Sequence, residues 1–139
     1  MAYSNKLIND GPYGSYMADP NSAAIGIYRR CKFVPSGGVT SDDTPILQLA
    51  SATERADVVT MQPIAAGAYG TVKFMNGGGE QFGQLKAGDG GVANGTALYA
   101  ASSGQVSPSS AGGALLIAMT TMTGADGGIV TYTRNMPAA

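Results

Sequence analysis

The chain contains no histidine and no tryptophan. Without histidine it lacks the commonest general base, the usual activator of a nucleophile and a favoured transition-metal ligand, so Ser-His triad chemistry is excluded. Without tryptophan it lacks the best platform for stacking a sugar, and three of its seven tyrosines fall within the first 16 residues. Cysteine occurs once, as Cys31, which rules out an intrachain disulfide and a cysteine-zinc cluster and reads as a small buried apolar residue. Glu54 and Glu80 are the only glutamates. Both lie in polar segments with no apolar pocket to raise a pKa, which counts against a carboxylate-pair hydrolase, the one enzyme reading the residues leave open.

Large apolar side chains are scarce as well. Leu, Ile, Val and Phe supply only 25 of 139 residues, while alanine alone supplies 21. That is low for a globular core. Disorder would combine this scarcity with high net charge, but the formal charge is only -1, so the composition describes one thin-cored folded domain. Such a domain gains stability by burying surface against copies of itself or a partner. Lys and Arg number eight and gather only at Arg29, Arg30 and Lys32, too few and too scattered to wrap nucleic acid. The longest apolar run, Ala114 to Met119, is too short for a membrane-spanning helix, and the N-terminus lacks the apolar core of a signal peptide. The expectation is a soluble protein used without Sec export, with no nucleic acid, membrane or cofactor partner.

What the chain does have is turns and short alternating runs. Residues 1 to 24 set Tyr3, Tyr13, Tyr16 and Met17 among Asn9, Gly11, Pro12, Gly14, Pro20 and Asn21; these breakers predict an extended arm. Tyrosines in an arm make good interface anchors, since a ring offers much contact area for little rotamer entropy. IGIYRRCKFV at 25 to 34 alternates as a strand does, except that Arg29 lands on the apolar face. That arginine marks a bulge, a salt bridge across a subunit contact, or a guanidinium reaching past the sheet edge. Ile46 to Ala50 reads as a strand followed by a polar loop, although Thr44 and Pro45 also spell a helix start.

Further strands are expected in VVTMQP at 58 to 63, AYGTVKFM at 68 to 75, GTALY at 95 to 99, ALLIAM at 114 to 119 and IVTYTR at 129 to 134. GTALYAASSGQV, 95 to 106, reads as a complete hairpin. Regular short strands bounded by Gly-rich turns predict an all-β fold, a small β-barrel or sandwich of antiparallel strands. The chain divides into an arm, 1 to 24, and a β-rich domain, 25 to 139.

The remaining motifs carry no chemistry. GDGGVA at 88 to 93 has dinucleotide-loop spacing but is followed by a turn and strand, where a helix N-terminus is required. Asp89 and Asp126 sit in Gly-rich turns without the alternating oxygen ligands of a calcium loop, and Asn94-Gly95-Thr96 is an Asn-Gly turn.

Taken together, AAGAYGTVKF at 65 to 74, GTALYAASSGQVSPSS at 95 to 110, GGALLIAM at 112 to 119 and GGIVTYTR at 127 to 134 resemble the small decoration, or cement, proteins of tailed-bacteriophage capsids. The likeness spans roughly residues 46 to 134. It implies a non-enzymatic structural virion protein made in the host cytoplasm and bound to the outer surface of the capsid. Its implied partners are the major capsid protein and itself, as a homotrimer that locks neighbouring capsomers. The interface residues expected are Tyr3, Leu7, Ile8, Tyr13, Tyr16 and Met17 in the arm, together with Arg29. The alternative is a β-rich fibre or adhesion module that binds a receptor or glycan.

Overall fold

The computed structural model describes residues 12–75, 80–84, 91–109, 115–123 and 128–134. It is nearly all β. In chain order the strands are β1 (Tyr13–Met17), β2 (Arg30–Val34), β3 (Ile46–Leu49), β4 (Val58–Thr60), β5 (Tyr69–Phe74), β6 (Gln81–Gln84), β7 (Gly91–Val92), β8 (Ala97–Ala100), β9 (Val106–Ser107), β10 (Leu115–Ala118), β11 (Met122–Thr123) and β12 (Ile129–Arg134). One turn of 3-10 helix, Ser102–Gly104, joins β8 to β9.

Two five-stranded antiparallel sheets divide the sequence between them. The first has the order β1-β5-β4-β2-β3, the second β6-β12-β10-β8-β9, and β7 and β11 form a small ribbon. The first sheet curls until its edges meet: Ala18, just past β1, bridges Leu47 of β3. There the Asp19 amide donates to the Leu47 carbonyl at 3.0 Å. Inside the curl lie Tyr16, Ala18, Ile25, Cys31, Leu47, Val58, Ile64 and Val72. This partial closure covers the edge at one point and shortens the run of unpaired backbone that invites aggregation.

A second core fills the space between this curl and the second sheet, from Val59, Leu98, Val106, Leu116, Val130 and Tyr132 among others. The two cores share a wall. In β4, Val58 belongs to the first core and Val59 to the second, and both are fully buried. Alternation along a strand sends neighbouring side chains to opposite faces, so a run of two valines is what a strand buried on both sides needs.

Several expected elements form where the sequence places them. Residues 46–49 are strand rather than helix, with a polar loop after them, and β8 pairs with β9 through Tyr99 to Ser107 and Ala100 to Val106, which makes 95 to 106 a hairpin. Asn94-Gly95 is a turn, with Gly95 at φ +80 and the Thr96 amide donating to the Ala93 carbonyl at 3.2 Å. Asp89 and Asp126 lie outside the described residues.

Two expectations need correction. The strand expected from 25 to 34 begins only at Arg30, because Tyr28 has a left-handed backbone, φ 58, that breaks the alternation; Ile25 instead bridges Ile64. The arm expected from 1 to 24 is in its later part an integral strand. β1 pairs with β5 over five residues, from Tyr13 opposite Lys73 to Met17 opposite Tyr69. Gly14 and Pro12 do not prevent this, since Gly14 sits opposite Val72 within the ladder and Pro12 precedes the strand.

Candidate interaction surfaces

β1 distributes the expected interface residues by parity. Tyr13 and Met17 are on its outer face, while Tyr16 is on the inner face and only 8% exposed. The Tyr16 ring packs on Phe33 with centroids 4.7 Å apart and meets Phe74 edge-on at 6.0 Å. Its apolar area therefore stabilises the chain's own core and is withdrawn from contact with other molecules. Tyr3, Leu7 and Ile8 lie outside the described residues.

On the outer face, the register brings Tyr69 of β5 opposite Met17. Tyr13 and Tyr69 are 46% and 49% exposed, with Ser15 paired to Thr71 between them and Lys73 beside Tyr13. Two tyrosines and a methionine thus share one exposed ladder. Sequence reasoning placed Tyr69 within a strand but had no means of bringing it to Tyr13, because the β1–β5 register is a long-range fact.

Arg29 acts within the chain. Its Nη1 donates to the Ser103 carbonyl at 2.9 Å, and its backbone is held on β4 by the Thr60 hydroxyl, which accepts from the Arg29 amide at 2.9 Å and donates to the Gly26 carbonyl at 2.7 Å. Burial pushes its guanidinium pKa below the usual value. The group it holds is the tip of the 95 to 106 hairpin. Gly104 there has φ +70, and a Cβ on it would stand 2.6 Å from the Arg30 carbonyl oxygen and 2.9 Å from the Arg30 amide nitrogen; its amide donates to the Ala50 carbonyl at 3.0 Å. Only glycine permits both that backbone angle and that approach. The hairpin is therefore the clasp by which the second sheet grips the first.

Asp19, Lys32 and Glu54 likewise hold the first sheet. Asp19 accepts from the Asn21 amide at 2.9 Å, the Ser22 hydroxyl at 3.0 Å and Gln48 Nε2 at 2.7 Å, and these bonds, led by the Asn21 amide, lower its pKa. The seam thereby gains a side-chain tie to β3. Lys32 pairs with Glu54, which also accepts from the Ser51 amide at 3.0 Å; the Lys32 bond comes first in holding the Glu54 carboxyl down at about 2. A carboxylate so held is ionised throughout the neutral range and has no proton to donate there. Burial raises the Cys31 thiol to about 12, leaving almost no nucleophilic thiolate. Among the described residues no three acidic or cysteine side chains gather as a metal site.

No family model matches the sequence, and no curated protein matches it. Among solved structures the fold is similar to that of the head fiber gp8.5 N base of bacteriophage phi29, with a TM-score of 0.62. The two are 15% identical, and the likeness covers 88% of this chain and 92% of that one. At this identity the shared property is the fold, and it extends over nearly the whole of both chains.

Proposed function

We propose that this chain is a non-enzymatic structural protein of a bacteriophage virion, seated on the outside of the head. The observation that carries this reading is the near end-to-end likeness in fold to a head fibre's base. The structure adds physical support: Asp19, Arg29, Lys32 and Glu54 hold loops and seams within the chain, and the exposed groups include an aromatic ladder at Tyr13 and Tyr69. In the finer form of the proposal, the partners are the major capsid protein and further copies of this chain in a homotrimer, and binding cements neighbouring capsomers. Tyr13, Met17 and Tyr69 are the capsid-facing group in this reading, with large rings able to seat in the shell at low entropic cost.

A second reading follows from the same neighbour. The domain is the mounting base of a fibre, and adhesion to a receptor or glycan belongs to what it carries. The two separate on stoichiometry and on shell strength. Quantitative mass spectrometry of purified particles gives copies of this chain per copy of the shell protein, and heating shells with and without added protein gives their resistance. A fixed large ratio with greater heat resistance supports cementing. A bound protein that leaves heat resistance unchanged supports the fibre base, and absence from particles overturns both.

A further inference from the structure

The turn at Asn94-Gly95 carries a chemistry of its own. In an Asn-Gly pair the backbone nitrogen of the glycine can attack the side-chain Cγ of the asparagine, and glycine, having no Cβ, leaves that approach unhindered. The sequence holds one other such pair, Asn76-Gly77. At 95 the backbone itself calls for glycine, since φ is +80.

Hydrogen bonds tie this turn, between β7 and β8, to the end of β10 and the residues after it. The Asn94 amide donates to Thr121 Oγ1 at 3.1 Å, and the Gly95 amide donates to the Ala118 carbonyl at 2.7 Å. The Ala118 amide returns a bond to the Thr96 carbonyl at 2.9 Å, and the Thr96 amide closes the turn on the Ala93 carbonyl at 3.2 Å. Asn94 and Gly95 are exposed, so water and solvent base reach the asparagine side chain. The atom withheld from reaction is the attacking nitrogen. To react it must give up its proton and approach Cγ, but the proton is committed to Ala118 and the planar peptide fixes where the nitrogen points.

We propose that Asn94 is a spontaneous deamidation site that the fold keeps closed through the Gly95–Ala118 hydrogen bond, and that opens when the turn lifts from the end of β10. In the open turn the Gly95 nitrogen forms a bond to Asn94 Cγ and loses its proton to solvent, while the side-chain nitrogen departs as ammonia and leaves a cyclic succinimide. Water then adds to either ring carbonyl and breaks its bond to the ring nitrogen. The product is aspartate, or isoaspartate with the backbone routed through the former side chain. Nothing is oxidised or reduced, and water is the only co-reactant. Either product adds a negative charge to a chain whose formal charge is -1. Isoaspartate also lengthens the backbone, so that the turn cannot reclose on Ala118 in its old register. The modification is a one-way record of local opening.

The test incubates the full chain in warm, mildly alkaline buffer, natively and in urea. Peptide mass spectrometry that separates asparagine, aspartate and isoaspartate follows Asn94, with Asn76 as the chemical reference in urea. Exchange of the Gly95 amide is read by NMR across a series of sub-denaturing urea concentrations. In full denaturant the two pairs are expected to react alike. Native Asn94 is expected to react at least about tenfold more slowly, and its rate to rise with added urea in step with Gly95 exchange. Thr121→Val, which removes the acceptor for the Asn94 amide, is expected to hasten both together; should that variant unfold, the urea series on the wild type makes the same test. Native Asn94 reacting as fast as in urea overturns the protection, as does slow reaction beside a freely exchanging Gly95 amide. Absence of reaction in urea overturns the site itself.

Discussion

The two sheets solve one problem in different ways. The first, built from residues before 75, holds most of the charged side chains of the described chain, closes its edges at Ala18 and Leu47, and surrounds its own core. The second, built from residues after 80, is open, holds few of the described charged residues, and buries one face in the second core while Tyr28 stacks on Phe82 of the other. A thin-cored chain thus divides its large apolar residues between two cores, one enclosed by a single sheet and one formed only where the two sheets meet. The scarcity of Leu, Ile, Val and Phe is therefore met in two ways: the first sheet surrounds twelve side chains, whole or in part, with its own strands, whereas the second sheet has a core only by packing on the first.

The comparison is broken most severely by emptying each core in turn. Leu47→Ala in the first and Leu98→Ala in the second each remove a fully buried side chain, and each is expected to cost about 3 kcal/mol. Because Val58 and Val59 join the cores, both variants are expected to lower a single urea transition, followed by circular dichroism. A second transition in Leu98→Ala alone would mean that the closed sheet stands without its partner.

A smaller effect sharpens the point of attachment. Gly104→Ala forces a Cβ against the Arg30 backbone at a left-handed position, with an expected cost of about 2 kcal/mol in denaturant unfolding. Gly95→Ala shares the left-handed angle but meets nothing within 4 Å, and about 1 kcal/mol is expected. Equal losses would show that the clasp contributes nothing beyond its backbone angle.

The smallest expected effect is on pH dependence, and it is confined to the closed half. The Glu54 carboxyl has its pKa lowered from 4.5 to about 2 in the folded chain, so its contribution to stability is full above the unfolded value and is lost as pH falls from about 4.5 towards 2. The melting temperature of Glu54→Gln is expected to lie slightly below that of the wild type at neutral pH and to converge with it in that acid window. A gap that persists at pH 2 would place the effect of the substitution elsewhere than in the Lys32 pair.

Much of the strand inventory was legible because local signals agree: Val58 to Thr60, Tyr69 to Phe74 and the 95 to 106 hairpin combine β-branched or aromatic residues with Gly, Asn or Ser turns. β7 and β11, of two residues each, are too short to have a period. β1 was hidden by Gly14 and two tyrosines, whose place in a ladder is granted by β5 rather than by their own propensity. The surface was half legible. Had 13 to 17 been read as a strand, parity would have separated Tyr16 from Tyr13 and Met17; nothing local could have supplied Tyr69. Arg29 stood out correctly as an exception, but its carbonyl partner lies 74 residues away in the chain.

The division of the sheets at residues 75 to 80 also has a meaning in time. Every strand of the closed sheet leaves the ribosome before any strand of the open one, so the curl is free to seal Val58 inside while Val59 still faces water. The five strands of the curl are thus all present to pair before the later strands emerge, and the shared core is completed only when those strands arrive. The hairpin tip at Gly104 arrives when β8 and β9 do, and synthesis order alone makes it a late fastening rather than an early nucleus.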